Sequence, residues 1–216
     1  MHPFRISENT ALQKFMLVCG ILSSVWYVLI NVYVPLQYEG YSVASLTVSE
    51  LSAIGAPTRR LWVVLVAIYP ILFFAFGLGV LRTSDGNRPL NVVGWLIVFY
   101  AVFNFYWPPM HMRGVEPTLT DTLHIVWAFV TVLLMILMMG FGAVALGNGF
   151  RIYTITSIVL HILFGILTGI ESPNIPLNGP TPTIGIWERI NIAVFMIWVI
   201  ILALELLKKF PKKHSY

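Results

Sequence analysis

An all-α membrane bundle of six spans is the fold class this chain predicts, and three observations predict it. The first is composition. Of 216 residues, 58% are hydrophobic and only 10% charged, where a soluble domain carries about 25% charged residues. So little polar side chain cannot cover a surface that faces water, and the solvent is therefore lipid. The second is that six apolar segments approach the roughly 20 residues a spanning helix needs at 1.5 Å rise each. The third is an asymmetry of basic residues between alternate connections, taken up below. The length suits one compact bundle, a single membrane domain over residues 1–216, rather than two.

The first segment, Phe15–Leu36, follows Arg5 and Lys14 and so resembles a signal peptide. Its apolar run is about 20 residues and no small-residue cleavage site follows, which predicts a retained span. The second, Leu61–Leu81, carries Pro70 in mid-span; proline removes one helical hydrogen bond and should bend it. The remaining four are Leu90–Trp107, Leu123–Leu146, Ile152–Ile170 and Ile186–Leu207. The turns Arg82–Pro89 and Gly147–Arg151 are short, so the spans they join should be antiparallel neighbours. Gln37–Arg60, Pro108–Thr122 and Glu171–Gly185 are longer and richer in Pro, Gly and Thr.

Orientation follows from the basic residues. The amino terminus, the two short turns and the tail hold Arg5, Lys14, Arg82, Arg88, Arg151, Lys208, Lys209, Lys212 and Lys213. The long loops and their helix mouths hold only Arg59, Arg60, Arg113 and Arg189. Nine against four places both termini in the cytoplasm and every long loop outside. The net charge of +4 lies in short loops and a tail, which argues for membrane lipids as partners and against nucleic acid. Cys19 is the one cysteine, so no intrachain disulfide is possible.

The first long loop has order of its own. Thr47-Val48-Ser49-Glu50 fits a capping box, and Gly55 and Pro57 should stop a short interfacial helix over Val48–Ile54. Thr118-Leu119-Thr120-Asp121 fits the same pattern before the fourth span.

Polar residues concentrate on the outer side. Glu39, Glu50, Glu116, Asp121, Glu171 and Glu188 lie outside, and Glu8, Asp85 and Glu205 inside. Within spans, Asn31, Asn104, Thr168 and Asn191 all fall in outer halves. A lone amide in hydrocarbon costs on the order of 1–3 kcal/mol, so four at one depth point either to a shared hydrated cavity or to four separate interhelical hydrogen bonds. Asp121 and His124 share a helix face, with His111 ten residues before; the three suit proton transfer, a metal site, or a cap and two structural histidines. His161 lies nine residues into its span, roughly 13 Å deep, as an interhelical donor. Glu188 and Arg189 point about 100° apart, so one can serve a loop while the other faces a cavity. Arg59 and Arg60 suit either a lipid phosphate or interface anchoring. Trp107, Trp127 and Trp187 mark an aromatic belt, and Lys208, Lys209, Lys212 and Lys213 an anionic-lipid anchor. No phosphate loop, zinc cluster, HExxH or nucleophile elbow is present.

TVSELSAIGAPTRR, TLTDTLHIVWAF and GIWERINIAVFMIWV resemble the signatures of a bacterial family known as domain of unknown function 998. The resemblance covers nearly the whole chain. It implies a six-helix integral membrane protein, in a bacterial cytoplasmic membrane, and no particular activity. The serine, aspartate and histidines more loosely resemble the membrane hydrolases typified by alkaline ceramidases, which have seven spans and a paired-histidine motif on the last; this chain has no histidine in its sixth.

The expected function is a membrane protein whose outward polar cavity binds a lipid headgroup or small amphiphile through Glu50, Arg59, Arg60, Asn104, His111, Asp121, His124, Glu188 and Arg189. The alternative is a metal-dependent membrane hydrolase using His111, Asp121 and His124, with Glu50 or Glu188 as further ligand or base. A small-solute transporter is less favoured, because no paired Gly/Pro breaks occur at matching positions in two halves. The sequence specifies no cofactor and no oligomeric state.

Overall fold

The computed structural model describes residues 4–210, with side chains from Thr10 onward. The side chains of Arg5 and Glu8, and Lys212 and Lys213 altogether, lie outside the described residues. No strand is found among the described residues, which form seven α-helical segments: α1 (Phe4–Tyr33), α2 (Arg59–Val66), α3 (Ile68–Thr83), α4 (Arg88–Phe103), α5 (Leu119–Ala145), α6 (Asn148–Glu171) and α7 (Ile184–Leu207). Five rods are long and apolar enough to cross a membrane; they contain α1, α2 with α3, α5, α6 and α7. These point to an integral membrane protein.

The third expected segment is the short one. α4 has 16 residues, about 24 Å at helix rise against roughly 30 Å of hydrocarbon. It stops at Phe103 because Asn104 takes the C-cap, where its amide turns back onto the Tyr100 carbonyl at 2.9 Å. Asn104 was expected inside a helix; asparagine is instead a common helix terminator. The expected bend at Pro70 is a break at Ala67 separating α2 from α3. Proline has no N–H for the Val66 carbonyl and its ring crowds that turn. The indole of Trp26 on α1 donates to the Leu65 carbonyl at 2.8 Å beside the break.

The helix expected over 48–54 is reduced to one 3-10 turn, Ser49–Ser52. Its capping box is nevertheless made: Thr47 N donates to Glu50 Oε2 at 2.7 Å and Glu50 N to Thr47 Oγ1 at 3.3 Å. Gly55 follows with φ +94, a conformation open chiefly to glycine. Thr118 and Asp121 form a second complete box, which is why α5 starts at Leu119, ahead of the apolar run.

The rods pack in chain order, α1 on α3, α3 on α4, α4 on α5, α5 on α6 and α6 on α7, and α7 returns to α1 to close a ring. An aromatic column fills it: Phe73 meets Tyr100 and Phe195, Phe195 stacks on Trp198, and Trp198 meets Phe150. Lipid tails are as apolar as these side chains, so close packing and interhelical hydrogen bonds hold such a ring, not exclusion from water. Trp198 Nε1 donates to Thr154 Oγ1 at 3.0 Å, and Asn191 and His161 exchange bonds through each other's carbonyls. His161 is thus the interhelical donor its depth suggested.

Candidate functional site

The three long connections meet at one end of the ring and form a roof. Its centre is Arg113, in the 104–118 loop. A guanidinium has five N–H donors, and all five are used. Nε and Nη2 reach the two carboxylate oxygens of Glu50, Nη2 also meets the Ser45 carbonyl at 2.9 Å, and Nη1 meets Thr181 Oγ1 at 2.8 Å and the Gly179 carbonyl at 3.4 Å. Glu50 side-chain exposure is 6%, so Arg113 neutralises a carboxylate that could not otherwise stay buried as an ion.

Arg189 makes a second clasp. It donates to the carbonyls of Val43 and Leu46, and to the Tyr41 hydroxyl at 2.7 Å. Burial pushes the Tyr41 phenol above its ordinary value, although the Arg189 guanidinium works against this; it stays a donor and reaches the Thr47 carbonyl at 2.6 Å. Gly185 permits the approach, since a Cβ there would collide with the carbonyls of Val43 and Leu46. Ile54 bonds the Met110 carbonyl at 2.7 Å, and Val48 N donates to Glu188. Glu171, at the end of α6, accepts from Thr183 and Ile184 and so caps α7.

Below the roof is a cavity of about 170 Å³. Its walls are apolar and aromatic, among them Tyr27, Trp62, Tyr69, Tyr100, Trp107 and Trp127; its polar groups include Ser49, Asn104, His124, Thr131, Glu188 and Asn191. Glu188 is the one formally charged residue in the lining, with no Lys or Arg. Three lining residues, Tyr69, Trp127 and Thr131, carry a buried polar atom without a hydrogen-bond partner: Tyr69 Oη, Trp127 Nε1 and Thr131 Oγ1.

The expected site residues separate into groups. Asn104, His124 and Glu188 line the cavity. Glu50 and Arg189 are committed to the roof. Arg59 donates to the Ser52 carbonyl at 2.8 Å; Arg60 is exposed and takes no part in the lining. His111 and Asp121 pair with each other, Nδ1 to Oδ2 at 2.8 Å, while Asp121 also accepts from His111 N, Thr118 N and Thr118 Oγ1. His124 turns elsewhere, Nδ1 to the Pro108 carbonyl at 2.7 Å and Nε2 to Ser49 Oγ at 3.1 Å. Among the described residues no cluster of three or more His, Cys, Asp and Glu is placed to hold a metal ion. Of the four polar residues expected at one depth, Asn104 and Asn191 line the cavity; Asn31 and Thr168 bond the carbonyl four residues back on their own helices.

Trp107 and Trp127, read as belt anchors, turn into the cavity and pack together with ring centroids 6.4 Å apart; Trp187 stacks on Phe164. Arg113, at the centre of the roof, is the residue the sequence reasoning passed over. Its one signal was being an arginine in a stretch, 111–127, that also holds two histidines and two acids.

The family described as "Protein of unknown function (DUF998)" matches residues 21–205. The chain belongs to the DUF998 family. The match spans α2 to α6 whole, most of α7 and the C-terminal part of α1, so in this DUF998 protein roof and cavity alike fall inside the family region. No curated protein and no solved structure matches the chain.

Proposed function

We propose that this DUF998 protein crosses the membrane six times with both termini in the cytoplasm, α4 completing the crossing despite its length. We propose further that its cavity opens to the outer side and receives the polar head of a lipid or a small amphiphile. The observation that carries the binding reading is the set of buried orphan groups on lining residues, Tyr69 Oη, Trp127 Nε1 and Thr131 Oγ1, in a mostly apolar lining. Buried polar groups are nearly always satisfied, so an indole N–H and two hydroxyls left unpaired on lining residues call for a partner. A cavity near 170 Å³ compares with one of about 150 Å³ that takes up benzene, so it holds a headgroup or a short chain, not a whole lipid. With Glu188 as its one charge, it favours neutral or cationic heads over free phosphate. Arg59 and Arg60 lie outside it, which removes the phosphate role considered for them from this site.

Topology is tested by single cysteines at Leu177 and Asn148, both exposed and at opposite ends of the ring. An impermeant thiol reagent outside the cell should label Leu177→Cys and spare Asn148→Cys; reversed labelling overturns the orientation. Binding is tested by Ala128→Trp, which fills the lining. Native mass spectrometry should show lipid retained by the wild type and lost from the variant. Equal retention by both places the lipid on the outer surface and ends the cavity reading.

A further inference from the structure

We infer that Ser49 and His124 form a nucleophile–base pair that attacks the carbonyl of a small carboxylic ester held in this cavity. The inference rests on the cavity admitting a small amphiphile and adds a reaction to it. His124 comes from the second turn of α5, Ser49 from the start of the 3-10 turn in the 38–58 loop, and they are 75 residues apart in sequence. Both line the cavity. The bonds of His124 settle its tautomer. The Pro108 carbonyl, 2.7 Å from Nδ1, can only accept, so Nδ1 carries the proton. Nε2 is then a lone pair, and the Ser49 hydroxyl 3.1 Å away must be its donor. That is the arrangement a nucleophilic serine needs: a base within hydrogen-bond reach, held in its accepting tautomer by a third group.

Two more features fit the role. Asp121 lies one turn before His124 on the same helix face, where its carboxylate favours the imidazolium that forms. Trp127 lies one turn after, its ring centroid 5.6 Å from that of His124, and its buried Nε1–H has no partner. An unpaired donor beside the base is the group we assign to receive the oxyanion.

The reaction balances as follows. Ser49 Oγ bonds the ester carbonyl carbon and its proton passes to His124 Nε2. The carbonyl oxygen becomes an alkoxide that accepts from Trp127 Nε1. The carbon–oxygen bond to the alcohol breaks, and the alcohol leaves with the proton from His124. Water then attacks the acyl-serine by the same proton route, releasing the carboxylic acid and restoring Ser49. Ser49 and His124 are the catalytic residues and Trp127 the oxyanion donor. The alternative for the same contacts is a loop tie, with His124 fastening the 38–58 loop to α5.

The test uses the full-length protein in detergent, treated with an alkyl fluorophosphonate; serine oxygen bonds phosphorus and fluoride leaves. Peptide mass spectrometry should find the adduct on Ser49, with p-nitrophenyl butyrate hydrolysis lost in parallel. His124→Gln should slow labelling by about 10²–10⁴-fold, the worth of general base catalysis. Trp127→Phe should slow ester hydrolysis by about 10²-fold or more, as loss of an oxyanion donor does, while the fold survives as judged by melting. No adduct on wild-type Ser49, or labelling by His124→Gln at the wild-type rate, overturns the inference. The lipid-retention measurement is independent: retained lipid without a Ser49 adduct ends the reaction and leaves the cavity reading standing, whereas loss of both ends both.

Discussion

The roof and the cavity beneath it share walls and differ in how they treat polar atoms. In the roof, every N–H of Arg113 meets an acceptor and Glu50 is doubly clasped, while Arg189 bonds through both Nη atoms and leaves its buried Nε unpaired. In the cavity, Trp127 Nε1 and Thr131 Oγ1 meet nothing, and Glu188 forms no ion pair among the described residues, its carboxylate taking a bond from Val48 N. The nearly saturated network around Arg113 raises stability and leaves little for a ligand; the less saturated one below costs stability and keeps donors available. The loop end is thus divided between a part that holds and a part that can bind.

The hardest way to break that division is to open the roof. Arg113→Met removes five donors and leaves Glu50 buried without a counter-charge, which costs about 3–5 kcal/mol. Chemical unfolding in detergent measures it, and Arg113→Met with Glu50→Gln should recover part of the loss. A cost below 1 kcal/mol for Arg113→Met would mean the clasp is solvated and the contrast false.

Gly185→Ala comes next, because two effects of opposite sign meet there. Alanine favours an α-helix by up to about 1 kcal/mol over glycine. Its Cβ would meet the Val43 and Leu46 carbonyls, and overpacking costs about 1–3 kcal/mol. We expect net destabilisation; a raised melting point would show that the 38–58 loop yields easily.

Asp121→Asn should cost about 1 kcal/mol, the worth of a lost cap, and chelator should leave the melting point of the wild type unchanged. A chelator-dependent melt abolished by His124→Ala would instead restore the metal reading.

The smallest effects sharpen the comparison most directly. Thr131→Val deletes an unpaired hydroxyl while keeping its shape, so stability should hold or rise slightly. Thr154→Val deletes a bonded one, the acceptor for Trp198, and should cost about 0.6 kcal/mol. Equal effects at the two sites would mean that the Thr131 hydroxyl has a partner after all.

Much of the site was legible along the chain, and the limit was consistent. Both capping boxes were readable because their partners lie three residues apart. The divergence of Glu188 and Arg189 was readable from helix geometry alone: Arg189 does serve the 38–58 loop and Glu188 does line the cavity. The convergence of Arg113 on Glu50 and Thr181, 63 and 68 residues away, was not, nor was the Ser49–His124 contact.

By itself the sequence determined the lipid solvent, the apolar rods, the break at Pro70 and the caps, since hydropathy, proline geometry and capping act within one or two turns. Only the tertiary structure decided which way each rod faces. In water an amphipathic stripe marks the buried side of a helix. In lipid the outer side is apolar too, so Trp107 and Trp127 read alike whether they anchor a belt or line a cavity, and only their packing against each other in the folded ring shows that they face inward.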